Sequence, residues 1–262
     1  MGPIATGIDD LRAAWSRREL ALYLAWSETL ARYRRSTLGP WWLVLGTALG
    51  VVGLGYVWSI LFNIPANEFI PSITVGLVLW QMIAGVLTGG PSVFTLNASM
   101  IVNVRLPSFL VTLQVFGRHV INLLHNLLVI LVVFLIYPEH FSLTMFLAIP
   151  GLLLVFVNLL AIMQILGILG ARFRDIEPLI SSLVPLLFFI SPVIFRPQQL
   201  GAAEVVMRFN PIAYYMFVIR EPMMGVVPPL TSYLAVLALT ALTVTAALWL
   251  TGSRSYRLPY WM

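Results

Sequence analysis

The side chains able to do chemistry are few: ten carboxylates, three histidines and fifteen basic residues in 262 positions. His119, His125 and His140 have no HExxH spacing, so a zinc hydrolase is not expected. There is no cysteine, hence no thiolate nucleophile, no cysteine metal site and no disulfide. All fifteen basic residues are arginine. Without a lysine there can be no GxxxxGK[ST] phosphate loop, because that loop uses a lysine to reach the phosphates. If ATP drives this protein, another polypeptide hydrolyses it. A membrane enzyme acting on lipid intermediates would need clustered acids or histidines at one interface. Glu68 and Glu139 are isolated, and His140 beside Glu139 is a weak pair. No catalytic residue, metal or cofactor is therefore expected in this chain, and no nucleic-acid partner.

What remains is arginine chemistry set in an apolar chain. The sequence is 60% hydrophobic and 10% charged, with a mean hydropathy of +0.95. Soluble domains carry about 25% charge, so this reads as an all-α integral membrane protein. The arginines gather in short stretches: Arg32, Arg34 and Arg35 before the first long apolar run, and Arg172-Phe173-Arg174-Asp175-Ile176-Glu177-Pro178 before the fifth.

The elements that would hold them follow from periodicity. Over 9–35, Leu11, Trp15, Leu22, Trp26, Leu30 and Tyr33 recur at helical spacing, with Asp10, Arg17, Glu28, Arg32 and Arg35 opposite. This predicts an amphipathic helix lying in the headgroup plane. Six apolar runs follow, each near the roughly 20 residues that cross about 30 Å of hydrocarbon. They are placed at 41–62, 73–94, 109–136, 143–170, 179–195 and 230–251 of a single transmembrane domain. Only the link between the fifth and sixth, 196–229, is long.

Arginine bias sets the orientation. One side receives Arg12, Arg17, Arg18, Arg32, Arg34, Arg35, Arg105, Arg172, Arg174, Arg254 and Arg257; the other receives Arg196, Arg208 and Arg220. Both termini are expected in the cytoplasm of a multi-pass inner-membrane protein. Arg118 is the exception, inside the third run. It can snorkel to the inner interface, or it can join Asn122 and His125 in a polar stripe, flanked by His119 and Asn126, that faces a helix or a wet cavity.

The fifth run contains Pro185 and breaks at Pro192. Proline removes a backbone donor, and in lipid the freed groups must be satisfied by protein or water. The segment after it, with Asn210-Pro211-Ile212-Ala213-Tyr214-Tyr215, is too polar to span and too apolar for a surface loop. It reads as a re-entrant external helical hairpin over the exit of a passage. Pro192, Asn210, Pro211, Tyr214 and Tyr215 are its candidate gate residues.

Taken in order, several stretches resemble the membrane subunit of type-2 ABC exporters, specifically the polysaccharide-exporting branch. They are Arg32-Tyr33-Arg34-Arg35-Ser36-Thr37-Leu38-Gly39-Pro40-Trp41-Trp42, Val104-Arg105-Leu106-Pro107, Arg172-Phe173-Arg174-Asp175-Ile176, Ser191-Pro192-Val193-Ile194-Phe195, Asn210-Pro211 and Arg220-Glu221-Pro222. The resemblance implies a homodimer, two copies of a separate ATPase carrying ATP and Mg, and a path for a lipid-linked glycan between protomers. It implies that Arg17, Arg32, Asn103, Arg105, Arg172, Arg174, Asp175 and Glu177 belong to the surface that touches the ATPase. Charge complementarity suits those links to docking a soluble partner. Arg34 and Arg35 are candidates for a pyrophosphate headgroup, which arginine forks bind well. Tyr56, Trp58, Phe62, Phe188, Phe189 and Phe195, on the first and fifth runs, are candidates for lining the passage. The expected cargo is O-antigen-like; the alternatives are capsule, teichoic acid, or a small hydrophobic drug or lipid.

Overall fold

The computed structural model describes residues 2–39, 41–104, 106–195, 207 and 209–261. It is helical throughout the described residues, with no strand among them. Five helices are long and apolar enough to cross a membrane: Trp41–Phe62 (α3), Ala66–Gly89 (α4), Ser108–Ile136 (α7), and the helices α8 (Ala148–Arg172) and α11 (Leu230–Arg254), the last two extended by short 3-10 turns. The fifth apolar run, expected at 179–195, is the 15-residue helix Ile176–Ile190 (α9). At about 1.5 Å per residue it covers roughly 22 Å, short of the hydrocarbon thickness.

The stretch expected as one helix over 9–35 is two. Helix α1 (Pro3–Ser16) starts on a proline whose missing N–H has no intrahelical role there. It ends at Arg17, which leaves helical geometry at φ −110°. Helix α2 (Arg18–Tyr33) then runs along α7. Trp15, Leu22, Trp26 and Leu30 are exposed, while Ala21, Ala25 and Thr29 are buried. Small residues let α2 come close to α7, where Gly117 faces Ala25. The large apolar side chains are left for the surroundings, as an interfacial helix requires.

Helix α1 docks on the end of α11 at a place where backbone meets backbone. A side chain on Gly252 would run into the Pro3 carbonyl, so only glycine fits. Both termini therefore share one end of the bundle, called here the terminal end. Helix α4 is the most buried span and lies between α3, α7, α8 and α9. It begins seven residues before the expected 73 and stops at Gly89, ahead of Gly90-Pro91. Two short helices, Val93–Leu96 (α5) and Ala98–Val102 (α6), lead from there to α7. At the far end, Pro211–Met223 (α10) packs on α8 and α11. Helix α12 (Leu258–Trp261) closes the chain against α6 and α8.

Candidate functional site

The terminal end is built from contacts between the α1–α2 segment and the base of α7. Helix α7 begins after Pro107, which supplies no capping side chain. Its first N–H groups are satisfied from another helix: the Asp10 carboxylate accepts from Ser108 N at 3.1 Å, Phe109 N at 2.9 Å and Ser108 Oγ at 3.2 Å. A carboxylate at a helix N-terminus meets both the orphan donors and the positive end of the dipole. Burial nevertheless holds the Asp10 carboxyl above its ordinary value, against the lowering effect of those donors.

Higher on α7, Arg118 donates to Glu28 of α2 at 2.9 Å, and Gln114 donates to the same carboxylate. Arg118 therefore faces a neighbouring helix, α2. His125 bonds the carbonyl of Ile121 at 2.8 Å. Asn126 joins Thr47 of α3 and Gln81 of α4: Thr47 Oγ1 lies 2.6 Å from Asn126 Oδ1, and Gln81 Nε2 lies 2.8 Å from Thr47 Oγ1. Hydrogen bonds between spans replace the water that a bilayer does not provide.

The candidate coupling residues cluster at this end. Asn103 closes α6, and Arg172, Arg174, Asp175 and Glu177 surround the turn between α8 and α9; all five are exposed. Helix α12 connects the two groups. The Arg172 guanidinium stacks over Phe173 at 4.9 Å and Trp261 at 5.5 Å, while α12 also packs on α6. Trp261 is not among the residues expected at this surface. The sequence signal for this bracket is Leu258, an apolar residue after the polar Ser253-Arg254-Ser255 stretch. Arg17 sits at the α1–α2 break, and Arg32 lies close enough to Arg118 to act on it electrostatically. Arg34 and Arg35 follow α2 and are exposed. Arg105 lies outside the described residues.

At the far end, the break at Pro192 is held in place by α10. Asn210 caps α10 by accepting from Ile212 N at 2.9 Å, and Pro211 occupies the first helical position. The same amide donates to Ser191 Oγ at 3.0 Å. Arg220 is buried, and its Nη1 donates to the Pro192 carbonyl at 2.7 Å. Arg220 had been counted among the arginines of the outer surface; it instead satisfies backbone freed by the helix break. Gly76 of α4 allows this packing, because a Cβ there would strike the carbonyl of Val193. Tyr215 donates to Asn158 Oδ1 at 2.7 Å, tying α10 to α8, and Asn158 continues to Thr240 of α11 at 3.3 Å. Tyr214 is half-buried against Phe217. Of the segment 196–229, residues 196–206 and 208 lie outside the described residues, Arg196 and Arg208 with them.

The six aromatic candidates divide. Trp58 and Phe62 stack on each other at 5.1 Å, and Phe62 meets Phe69 of α4. Phe188 packs on Trp80 at 5.4 Å. Phe195 is half-buried beside the break. Tyr56 and Phe189 are 62% and 68% exposed, so they alone of the six present most of the side chain outward. Helices α3 and α9 flank α4, and their outward faces carry Leu45, Leu49, Ile60, Leu183 and Leu186.

Apolar helices tied by buried amides, with charged links exposed at the terminal end, define a multi-pass membrane protein. The family model for the ABC-2 type transporter matches residues 19–224, and the chain belongs to that family. Among curated proteins, it is 27% identical over 213 residues to an O-antigen export system permease protein of Myxococcus xanthus, covering 79% of this chain and 80% of that one. It is 22% and 21% identical to two proteins of the same description from Klebsiella pneumoniae, over 79% and 87% of this chain and 81% and 88% of theirs.

Proposed function

We propose that this chain is the membrane subunit of an ATP-driven exporter that moves a lipid-linked, O-antigen-like polysaccharide across the inner membrane. In this reading both termini are cytoplasmic, two copies of the chain assemble with two ATP-binding subunits, and the glycan passes between the copies. The sixth crossing is α9 completed by Ser191–Phe195. The reading is supported by the terminal end, where Arg172, Arg174, Asp175 and Glu177 are exposed around the turn between α8 and α9, and α12 joins α8 to α6, which ends at the exposed Asn103. The names of the relatives support the cargo.

The mechanism follows from how the ends are built. A partner pressing on the platform moves α6, α8 and α9 together, because α12 brackets the first two and the 173–175 turn joins the last. Packed spans respond as bodies rather than by bending. The hydrogen bonds of Asn210 and Arg220 carry the same displacement to the hairpin over the far end of α9. Outward faces of α3 and α9, with Tyr56 and Phe189, line the passage when two copies meet. Arg34 and Arg35 engage the headgroup on the inner side. Deleting the gene should remove polymer from the cell surface and leave lipid-linked polymer inside. Unchanged surface polymer would overturn the assignment.

A further inference from the structure

A cavity of about 200 Å³ lies between α3, α4 and α7, in the half of the bundle nearer the terminal end. Leu43, Val78 and Leu123 form one part of its wall, and Gln81, His119 and Asn122 another. His119 lies one residue beyond Arg118, and its ring packs against the bare backbone of Gly85. Gln81 is engaged with Thr47 and Asn126. His119 and Asn122 differ: neither side chain meets a hydrogen-bond partner among the described residues. Polar groups left unpaired inside an apolar span are costly, so an occupant that satisfies them is expected.

The wall selects the occupant. It carries no carboxylate, which argues against a cation. The nearest fixed positive charge on α7, Arg118, is already held by Glu28, which argues against a free anion. An amide and an imidazole offer donors and acceptors together, the complement of hydroxyl groups that also do both. The lining also includes aliphatic side chains, which suit the C–H face of a ring. A volume of 200 Å³ is too large for one bound water and admits about six at ~30 Å³ each; it equally accommodates one small ring. We propose that this cavity is a binding site for a single neutral sugar ring presented from the membrane. The site is inferred from its lining alone. Only the idea that the ring belongs to the transported glycan rests on the transport reading.

The test uses the full chain in nanodiscs of phosphatidylethanolamine and phosphatidylglycerol. Three photoreactive probes are compared: an alkyl glucoside with a diazirine on the sugar, the same alkyl chain on a tetraethylene glycol head, and a phosphatidylcholine with the diazirine near its glycerol. The glucoside should label peptides containing 78–85 and 119–126 about tenfold more than either control, a ratio equal to about 1.4 kcal/mol. Asn122→Leu should abolish that excess, and Gly85→Ala, whose new Cβ displaces the His119 ring, should reduce it. Equal labelling by glucoside and glycol means the cavity holds only water. Equal labelling by phosphatidylcholine means it holds ordinary lipid. Either result overturns the proposal, even if export of the glycan is established.

Discussion

Arg118 of α7 and Glu28 of α2 meet at 2.9 Å, so the two helices are joined by an ion pair rather than by apolar packing alone. Gln114 reaches the same carboxylate, and Ala21, Ala25 and Thr29 close the contact around it. A pair with both side chains partly exposed is worth less than a fully buried one, on the order of 1–2 kcal/mol here. Glu28→Gln and Arg118→Met should each lower the apparent unfolding midpoint in detergent. The double variant should lose less than the sum of the two, because each single change strands the other partner. Additive losses would mean that the pair contributes no coupling.

Asp10 provides the second joint, and its carboxyl gives a pH dependence. Burial raises its folded value above the ordinary 3.8, so the folded protein holds the proton more tightly than the unfolded chain. The contribution from this group is fully present below about 3.8 and is lost as pH rises through the raised folded value. Acidifying from pH 7 should therefore stabilise the natural protein relative to Asp10→Asn, which does not titrate. Asp10→Ala should cost about 1–2 kcal/mol at neutral pH through the lost cap, and more on acidification. Parallel midpoints for the natural and Asn proteins across pH 4–7 would contradict the assignment.

The reach of the sequence can be judged from these two joints. Apolar length located α3, α7, α8 and α11 to within a few residues, because twenty lipid-compatible positions leave few alternatives. It misplaced α4, whose first turn contains the polar Asn67 and Glu68, and it gave α9 a full span that its helix does not have. Helical periodicity assigned Asp10 and Glu28 to a polar face but had no means of showing that this face points inward. Two small alanines carry little periodic signal beside four large apolar side chains, although they make the tighter contact. At the far end, Asn210-Pro211 was readable as a helix start from local chemistry. The partnership of Arg220 with Pro192 was not, since a buried arginine and a surface one are the same letter.

That far-end clip gives a third expectation. Arg220→Met should fail badly and Arg220→Lys less so, since a single nitrogen, Nη1, donates to both the Pro192 and Phe195 carbonyls and an ammonium can replace part of that contact. Asn210→Ala removes a cap and the bond to Ser191, for about 1–2 kcal/mol. Gly76→Ala should be severe because the Val193 backbone has no room to yield. Folded yield after detergent extraction ranks the four variants, and an Arg220→Met protein of natural stability would refute the clip.

The charged platform should behave differently from these structural joints. Arg174, Asp175 and Glu177 are exposed, so reversing their charges should leave the unfolding midpoint within about 0.5 kcal/mol of natural. Surface polymer, in contrast, should fall strongly. A variant with reversed Arg174 and Asp175 that still exports normally would remove these residues from the coupling surface.

Because the chain has no cysteine, single cysteines can map the surface that receives the ATP-binding subunit. Asn103→Cys and Glu177→Cys at the terminal end are compared with Glu139→Cys, in the link between α7 and α8, using a short maleimide–diazirine reagent that needs no thiol on the partner, after co-expression. The expected result is cross-linking to the ATPase from positions 103 and 177, and none from 139. Cross-linking from 139, with positions 103 and 177 silent, would place the partner on the opposite face and contradict the proposed coupling.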